Sequence, residues 1–114
     1  MQLFVLVLNK TELMEDILHQ MALAGVSGAT VLESTGMARI LKDADDMPFF
    51  SGLRSMLNQD RAQSNTIFVV LQDEQVDTVR KIVNEVTGGL SKPDTGIMFA
   101  VPTLFVEGIN KKRP

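Results

Sequence analysis

The residues best suited to bind a ligand lie in one glycine-rich loop near the end of the 114-residue chain, Gly88-Gly89-Leu90-Ser91-Lys92-Pro93-Asp94-Thr95-Gly96. Its glycines permit backbone conformations and close approaches that other residues do not. Lys92 and the hydroxyl groups of Thr87, Ser91 and Thr95 could donate to an anion, and backbone amides in such turns can form an anion-binding nest. The loop lacks the Gly-x4-Gly-Lys-Ser/Thr spacing of a P-loop. On residue chemistry alone, a flexible turn with a helix-ending glycine is the favoured interpretation, and anion binding is the alternative.

The other reactive side chains offer little for catalysis or metal binding. The sequence has no cysteine, which excludes disulfides and thiolate catalysis, and its single histidine, His19, has no neighbouring Cys, Ser or second His for a metal set or a triad. Asp43, Asp45 and Asp46 lack the glycine and terminal glutamate of a calcium loop. We therefore expect a protein that is not an enzyme and holds no metal.

The elements that must position the glycine-rich loop occur twice along the chain. Each copy has an apolar strand, a helix that ends at glycine, and a further strand. In the first copy, a strand at residues 2–8 is followed by a helix that begins at Asn9 and ends at Gly25, and then by a strand at residues 29–34. Glu12 is the capping-box partner of Asn9. In the second copy, a strand at residues 66–71 is followed by a helix from Asp73 to Gly88-Gly89 and by a strand at residues 97–101. Two β-α-β units predict an α+β, ferredoxin-like βαββαβ fold, with a four-stranded antiparallel sheet and two helices on one face.

Apolar residues at helical spacing predict which side of each helix faces the core. These residues are Leu13, Met14, Ile17, Leu18 and Met21 in the first helix, and Val76, Val79, Val83 and Val86 in the second.

The first and third strands are apolar without interruption, from Leu3 to Leu8 and from Ile67 to Leu71. An antiparallel strand with one face in water should alternate apolar and polar residues, so both faces of the sheet are predicted to be buried. A second copy of the chain is the expected cover, and a fold-back of the insertion or the C-terminus is the alternative.

A segment at about 37–65 separates the two copies within a single domain, 1–114. It is far longer than the usual connection of about 4–6 residues, which favours either a functional loop or a solvated insertion. A short helix near 48–58 is compatible with its apolar spacing, and Thr103–Val106 could form a further edge strand after Pro102.

The net charge and the apolar pattern of the sequence limit the kinds of molecule that the chain is expected to bind. The net charge is −3, which gives no general attraction to nucleic acid or to an anionic membrane. No apolar run approaches the ~20 residues that span a bilayer, and the N-terminal residues lack the basic region of a signal peptide. We therefore expect a cytoplasmic protein that binds no nucleic acid and is not an integral membrane protein.

Three local strings resemble the PII signal-transduction (nitrogen regulatory protein P-II) family. Gly25-Val26-Ser27-Gly28-Ala29-Thr30-Val31 is similar to the family's Gly-Val-x-Gly-x-Thr-Val, Gly36-Met37-Ala38-Arg39 to the Gly-x-Gly-Arg at the base of its T-loop, and the stretch from Thr87 to Phe99 to its B-loop. The resemblance covers nearly the whole chain except residues 40–65.

This resemblance implies a homotrimer in signal transduction and nitrogen regulation that needs no cofactor but senses ATP or ADP as an effector in a cleft between subunits. It also implies that the T-loop-like segment at 37–65 regulates a partner protein, an enzyme or a transporter. The nucleotide-binding residues carried over by position are Gly36, Met37, Ala38, Arg39, Thr87, Gly88, Gly89, Asp94 and Gly96. From its charge, Lys92 is added as a stand-in for the family's missing phosphate-binding lysine.

The chain also departs from the family pattern. Ile40 stands where family members that bind 2-oxoglutarate have glutamine, no tyrosine is present for uridylylation, and Thr103 to Val106 replace the C-terminal arginines. These departures favour an alternative function, a PII-shaped interaction scaffold that has lost nucleotide and 2-oxoglutarate binding. A small enzyme or a metal-tolerance protein on the same trimer is a third hypothesis, against which the absence of cysteine and of clustered histidine argues.

Overall fold

Two β-α-β units form the fold in the computed structural model, which describes residues 1–37 and 63–109. In chain order the elements are β1 (Gln2–Leu8), a 3-10 turn (Thr11–Leu13), α1 (Met14–Leu23), β2 (Thr30–Ser34), β3 (Ser64–Leu71), α2 (Asp73–Thr87) and β4 (Gly96–Pro102). The predicted α+β, ferredoxin-like βαββαβ arrangement is confirmed. β3 begins at Ser64, two residues before the predicted start of this strand.

The four strands form one antiparallel sheet in the order β2-β3-β1-β4. β1 is central, and its Val5 lies opposite Phe68 of β3 and Phe99 of β4. Because side chains alternate along a strand, this register assigns each strand residue to one of two faces.

The core lies between the helices and one face of the sheet. The fully buried sheet residues alternate along the strands, and those of the helices fall on the predicted stripes. They are Phe4, Leu6, Leu8, Ile67, Val69 and Leu71 from the sheet, Met14, Ile17 and Met21 from α1, and Val79 and Val83 from α2. Leu13, Leu18, Val76 and Val86 are partly buried against this core, so the prediction of the helix faces is confirmed.

The opposite face of the sheet, called the open face below, is apolar, and residues 1–37 and 63–109 leave much of its area uncovered. It carries Leu3, Val5 and Val7 from β1, Leu32 from β2, Phe68 and Val70 from β3, and Ile97, Phe99 and Val101 from β4. Ile97, Phe99 and Val101 are 60%, 47% and 43% exposed, whereas the central Val5 is buried by its neighbours. The covering of this face by a second copy stays a prediction.

The helix ends agree only partly with their sequence signals. The 3-10 turn has Lys10 as its N-cap, one residue after the predicted Asn9, and neither this turn nor α1 has a side-chain cap hydrogen bond. A capping box occurs instead at α2, where the Gln72 backbone N–H donates to the Gln75 side chain at 2.8 Å. α1 is followed by Gly25 at a φ of +93°, as predicted for its end.

The chain after β4 forms no strand within residues 103–109, so the predicted edge strand at Thr103–Val106 is wrong. The Thr103 N–H and hydroxyl both donate to the Met1 carbonyl, at 3.2 Å and 3.0 Å, which continues the contact between β4 and β1 by one residue. The helix predicted near 48–58 and most of the insertion at 37–65 lie outside the described residues.

Candidate functional site

The glycine-rich loop and the start of the insertion lie at the same end of the sheet. Gly96, where β4 begins, lies opposite Leu8 at the end of β1, and Ser64, where β3 begins, lies opposite Ser34 at the end of β2. β2 and β4 are, however, the two outer strands. Three strand spacings separate them, or about 14 Å. Within one chain, Gly36 and Met37 are therefore at the same end as the glycine-rich loop but at opposite edges.

Thr87 is part of the internal structure of the α2 C-terminus. Its side chain is buried, and its hydroxyl donates to the Val83 carbonyl at 2.7 Å and accepts from the Gly89 N–H at 3.1 Å. The helix then ends at Gly88, whose φ is +78° and whose N–H donates to the Asn84 carbonyl. These contacts fix how the chain leaves α2, so Thr87 and Gly88 have structural functions apart from any ligand.

The far end of the loop is joined to β1. The Asn9 N–H donates to the Thr95 carbonyl at 2.9 Å, and Thr95 is almost completely buried. At Gly96 the φ is +148°, and a Cβ there would lie 2.2 Å from the Val7 carbonyl oxygen. Gly96 is therefore required because two backbones approach closely where β4 joins β1.

A shallow pocket of about 260 Å³, called the loop pocket below, lies where the glycine-rich loop joins β1. Its lining residues are Val7, Asn9, Lys92, Asp94, Thr95, Gly96 and Ile97. Lys92 is the one cation among the described residues that line it, and Asp94 supplies a carboxylate. Asp94 follows Pro93 with a φ of +57°, a left-handed conformation that Asp tolerates better than most residues. The pocket therefore has charged groups of both signs and an apolar wall.

The sequence-predicted residues divide into four groups. Of the described lining residues, Lys92, Asp94 and Gly96 come together at the loop pocket, while Thr87, Gly88 and Gly89 form the adjoining helix end. Gly36 and Met37 are exposed at the other edge of the sheet. Ala38 and Arg39 lie outside the described residues.

The exit of β2 is held by side chains that the sequence interpretation did not include. The Ser34 hydroxyl lies 2.8 Å from the Thr66 hydroxyl and donates to the Ser64 carbonyl at 3.3 Å. These bonds join β2 to β3 where the chain leaves the sheet and returns to it. In the sequence, the available signal for these bonds is that hydroxyl residues stand where β2 ends and where β3 begins.

A second cavity, of about 380 Å³, opens beside the N-terminal end of β2. It is lined by Leu3, Ser27, Gly28, Ala29, Thr30, Phe68, Val69, Val70 and Ile109. Ser27 to Thr30 belong to one of the strings that carry the family resemblance, but they had not been proposed as site residues. Ile109 reaches this cavity from the segment after β4, so part of the C-terminus does return to the sheet.

Metal and membrane sites are not evident in the described part of the chain. Residues 1–37 and 63–109 contain no group of three or more His, Cys, Asp or Glu side chains placed to hold a metal ion. Neither helix within those ranges has the length and apolar character needed to cross a membrane.

The fold and the loop pocket define a ferredoxin-like α+β domain with a polar pocket at one end of its sheet. No protein-family model and no curated protein matches this sequence. The resemblance to the PII family therefore stays a prediction that rests on the three strings and on the order of the elements.

Proposed function

We propose that this chain is a PII-like regulatory protein that forms a homotrimer, senses an adenine nucleotide, ATP or ADP, in a cleft between subunits, and regulates a partner protein through the segment at 37–65. The observation that carries this proposal is the loop pocket, where Lys92 and the polar residues Asn9, Asp94 and Thr95 meet at the rim of the open face. A nucleotide polyphosphate needs a cation of this kind to offset its negative charge.

The position of the loop pocket supports a cleft between copies. Two of its lining residues, Val7 and Ile97, lie opposite each other in the β1–β4 register and belong to the open face. A second copy that covers the open face would therefore also form a wall of the loop pocket. The exposed area on β4 is apolar, as expected for a surface that is covered in an oligomer.

Regulation follows if the nucleotide favours one conformation of the segment at 37–65. A ligand shifts a conformational equilibrium only by its difference in affinity for the two states. Gly36 and Met37 begin this segment at the same end of the sheet as the loop pocket. Because the two regions lie at opposite edges within one chain, the proposal requires that the pocket of one copy and the segment of the next meet in the trimer.

Calorimetric titration with ADP and with ATP, with and without Mg²⁺, tests the proposal alongside light scattering coupled to gel filtration. We expect a trimer mass and saturable binding with one site per chain. A monomer at micromolar concentration would contradict the assembly, and the absence of binding at millimolar nucleotide would contradict nucleotide sensing.

The alternative, a PII-shaped scaffold without nucleotide binding, is favoured by the structural functions of the same residues. Thr87 and Gly88 end α2, and Gly96 permits the contact between β4 and β1. Their presence in the sequence is explained without a ligand. A trimer that binds no nucleotide but retains a protein partner would support this alternative, and loss of nucleotide binding in Lys92→Met would contradict it.

A further inference from the structure

Lys92 is an exposed residue whose ammonium group lies against the C-terminal end of α2. Its Nζ is 2.7 Å from the position that a Cβ would occupy at Gly88, and its Cε is 3.6 Å away. Gly88 is the C-cap of α2, a helix that has acidic residues in its first turn and no basic residue in its last. The ammonium group therefore lies beside the end of the helix that carries partial negative charge.

We propose that the ammonium group of Lys92 caps α2 from within the glycine-rich loop. An anion that binds in the loop pocket competes with the helix end for this ammonium group. The capping function is independent of any ligand. The competition rests on the proposed function, because it needs the anion to bind in the loop pocket.

The proposal has a reciprocal consequence. If the helix end and the anion compete for one ammonium group, anion binding must destabilise the last turn of α2. Conversely, a weaker interaction between the helix end and the ammonium group must increase the affinity for the anion. The reporters are the Gly88 N–H, which donates to the Asn84 carbonyl, and the Gly89 N–H, which donates to the Thr87 hydroxyl. Their hydrogen exchange measures local opening of this turn.

The first test compares Lys92→Met with Lys81→Met by NMR-detected hydrogen exchange. Both remove a charge from an exposed lysine, but Lys81 lies in the body of α2 and away from its end. We expect the Gly88 and Gly89 amides to exchange about two- to fivefold faster in Lys92→Met, and not in Lys81→Met, as estimated for one cation at a helix C-terminus. Equal exchange in the two variants would overturn the capping function.

The second test uses two glycines that differ in one contact. Gly88 and Gly89 both have positive φ, +78° and +105°, but only a Cβ at Gly88 would collide with Lys92, since nothing lies within 4 Å of one at Gly89. In the Gly88→Ala background, Lys92→Met should produce no further increase in exchange, because the ammonium group is already displaced. In the Gly89→Ala background the increase should persist. The same increase in both backgrounds would overturn the proposed contact.

The third test adds ADP or inorganic pyrophosphate to the wild type and to Lys92→Met. We expect the exchange of the Gly88 and Gly89 amides to rise with bound anion in the wild type and to stay unchanged in Lys92→Met. Binding without a change in exchange would overturn the competition and leave the proposed function intact. No binding of either probe would overturn both the competition and nucleotide sensing, and the first two tests would still decide the capping function.

Discussion

At the scale of single residues, the glycine-rich loop contains side chains with two kinds of task. Thr87, Gly88 and Gly96 determine the path of the backbone, whereas Lys92 and Asp94 present charge at the loop pocket. Substitutions in the first group should change the free energy of unfolding whether or not a ligand is present. Binding measurements on these variants therefore need a stability measurement beside them.

Gly96→Ala should destabilise the protein by about 1–3 kcal/mol, as estimated for a strained backbone position. The added Cβ would lie 2.2 Å from the Val7 carbonyl oxygen, a backbone atom that can move only with β1. Urea unfolding followed by circular dichroism measures the change. Gly28→Ala is the matched control, because nothing lies within 4 Å of a Cβ there. Equal midpoints for the two variants would contradict the close approach.

Thr87→Val should destabilise the protein by about 1–3 kcal/mol, because it removes a buried hydroxyl group that makes two hydrogen bonds. Val has the same shape but can neither donate to the Val83 carbonyl nor accept from the Gly89 N–H. Thr87→Ser keeps the hydroxyl and serves as the control. A urea midpoint for Thr87→Val that is no lower than that of Thr87→Ser would contradict a stabilising function of these hydrogen bonds.

At the scale of elements, strand and helix patterns predict the core faces well and the ends less well. The stripes on α1 and α2 depend on spacing within one helix, which is visible in the sequence. The N-terminal cap depends on where the chain leaves β1. Here the Asn9 N–H is bonded to the Thr95 carbonyl, and the helical segment begins after Lys10. The start of the helical segment is thus accompanied by a contact with a residue 86 positions later along the chain, Thr95.

The start of α2 is joined to the first residues of β1, which gives a pH-dependent contact. The Gln2 side chain donates to Asp73 at 3.2 Å and the Met1 amino group lies 3.4 Å from the same carboxylate oxygen. The hydrogen bond from Gln2, followed by the bond and charge of the amino group, lowers the pKa of Asp73 below its usual value. A lowered folded-state pKa means that this contact stabilises the fold above the unfolded pKa, about 3.9, and that this stabilisation is lost as the pH falls through the folded pKa.

Gln2→Ala should therefore raise the pKa of Asp73 toward its ordinary value, because the largest cause of the shift is removed. Acetylation of the Met1 amino group should raise it as well, through loss of the positive charge. Carboxyl-carbon NMR titration of Asp73 measures both changes. The same Asp73 pKa in the wild type and in Gln2→Ala would show that the hydrogen bond does not form in solution.

At the scale of the whole molecule, the open face is an apolar surface that the described part of the chain leaves exposed. Apolar side chains from all four strands contribute to it, and those of β4 are between 43% and 60% exposed. Surfaces of this kind are usually covered by another protein chain. The uninterrupted apolar runs from Leu3 to Leu8 in β1 and from Ile67 to Leu71 in β3 predict such a face from the sequence.

Phe99→Lys should convert the proposed trimer into a monomer, because it places a charge on β4 beside Val5 at the centre of the open face. Leu23→Lys is the control, since Leu23 is a 71% exposed apolar residue on α1, on the other side of the sheet. Light scattering coupled to gel filtration measures the mass of each variant. A trimer mass for Phe99→Lys, or a monomer mass for both variants, would contradict assembly through the open face.

The sequence by itself determined the order and type of the elements, the core stripes of α1 and α2, and the apolar character of both faces of β1 and β3. These properties depend on spacing within an element and on the hydrophobic effect, which act locally along the chain. Only the tertiary structure decided that Gly96 lies against Val7, that Lys92 lies beside Gly88, and that Gly36 and the glycine-rich loop occupy opposite edges of one sheet end. Such contacts depend on strand register and on the order β2-β3-β1-β4, which join residues far apart along the chain and leave no periodic signal in it.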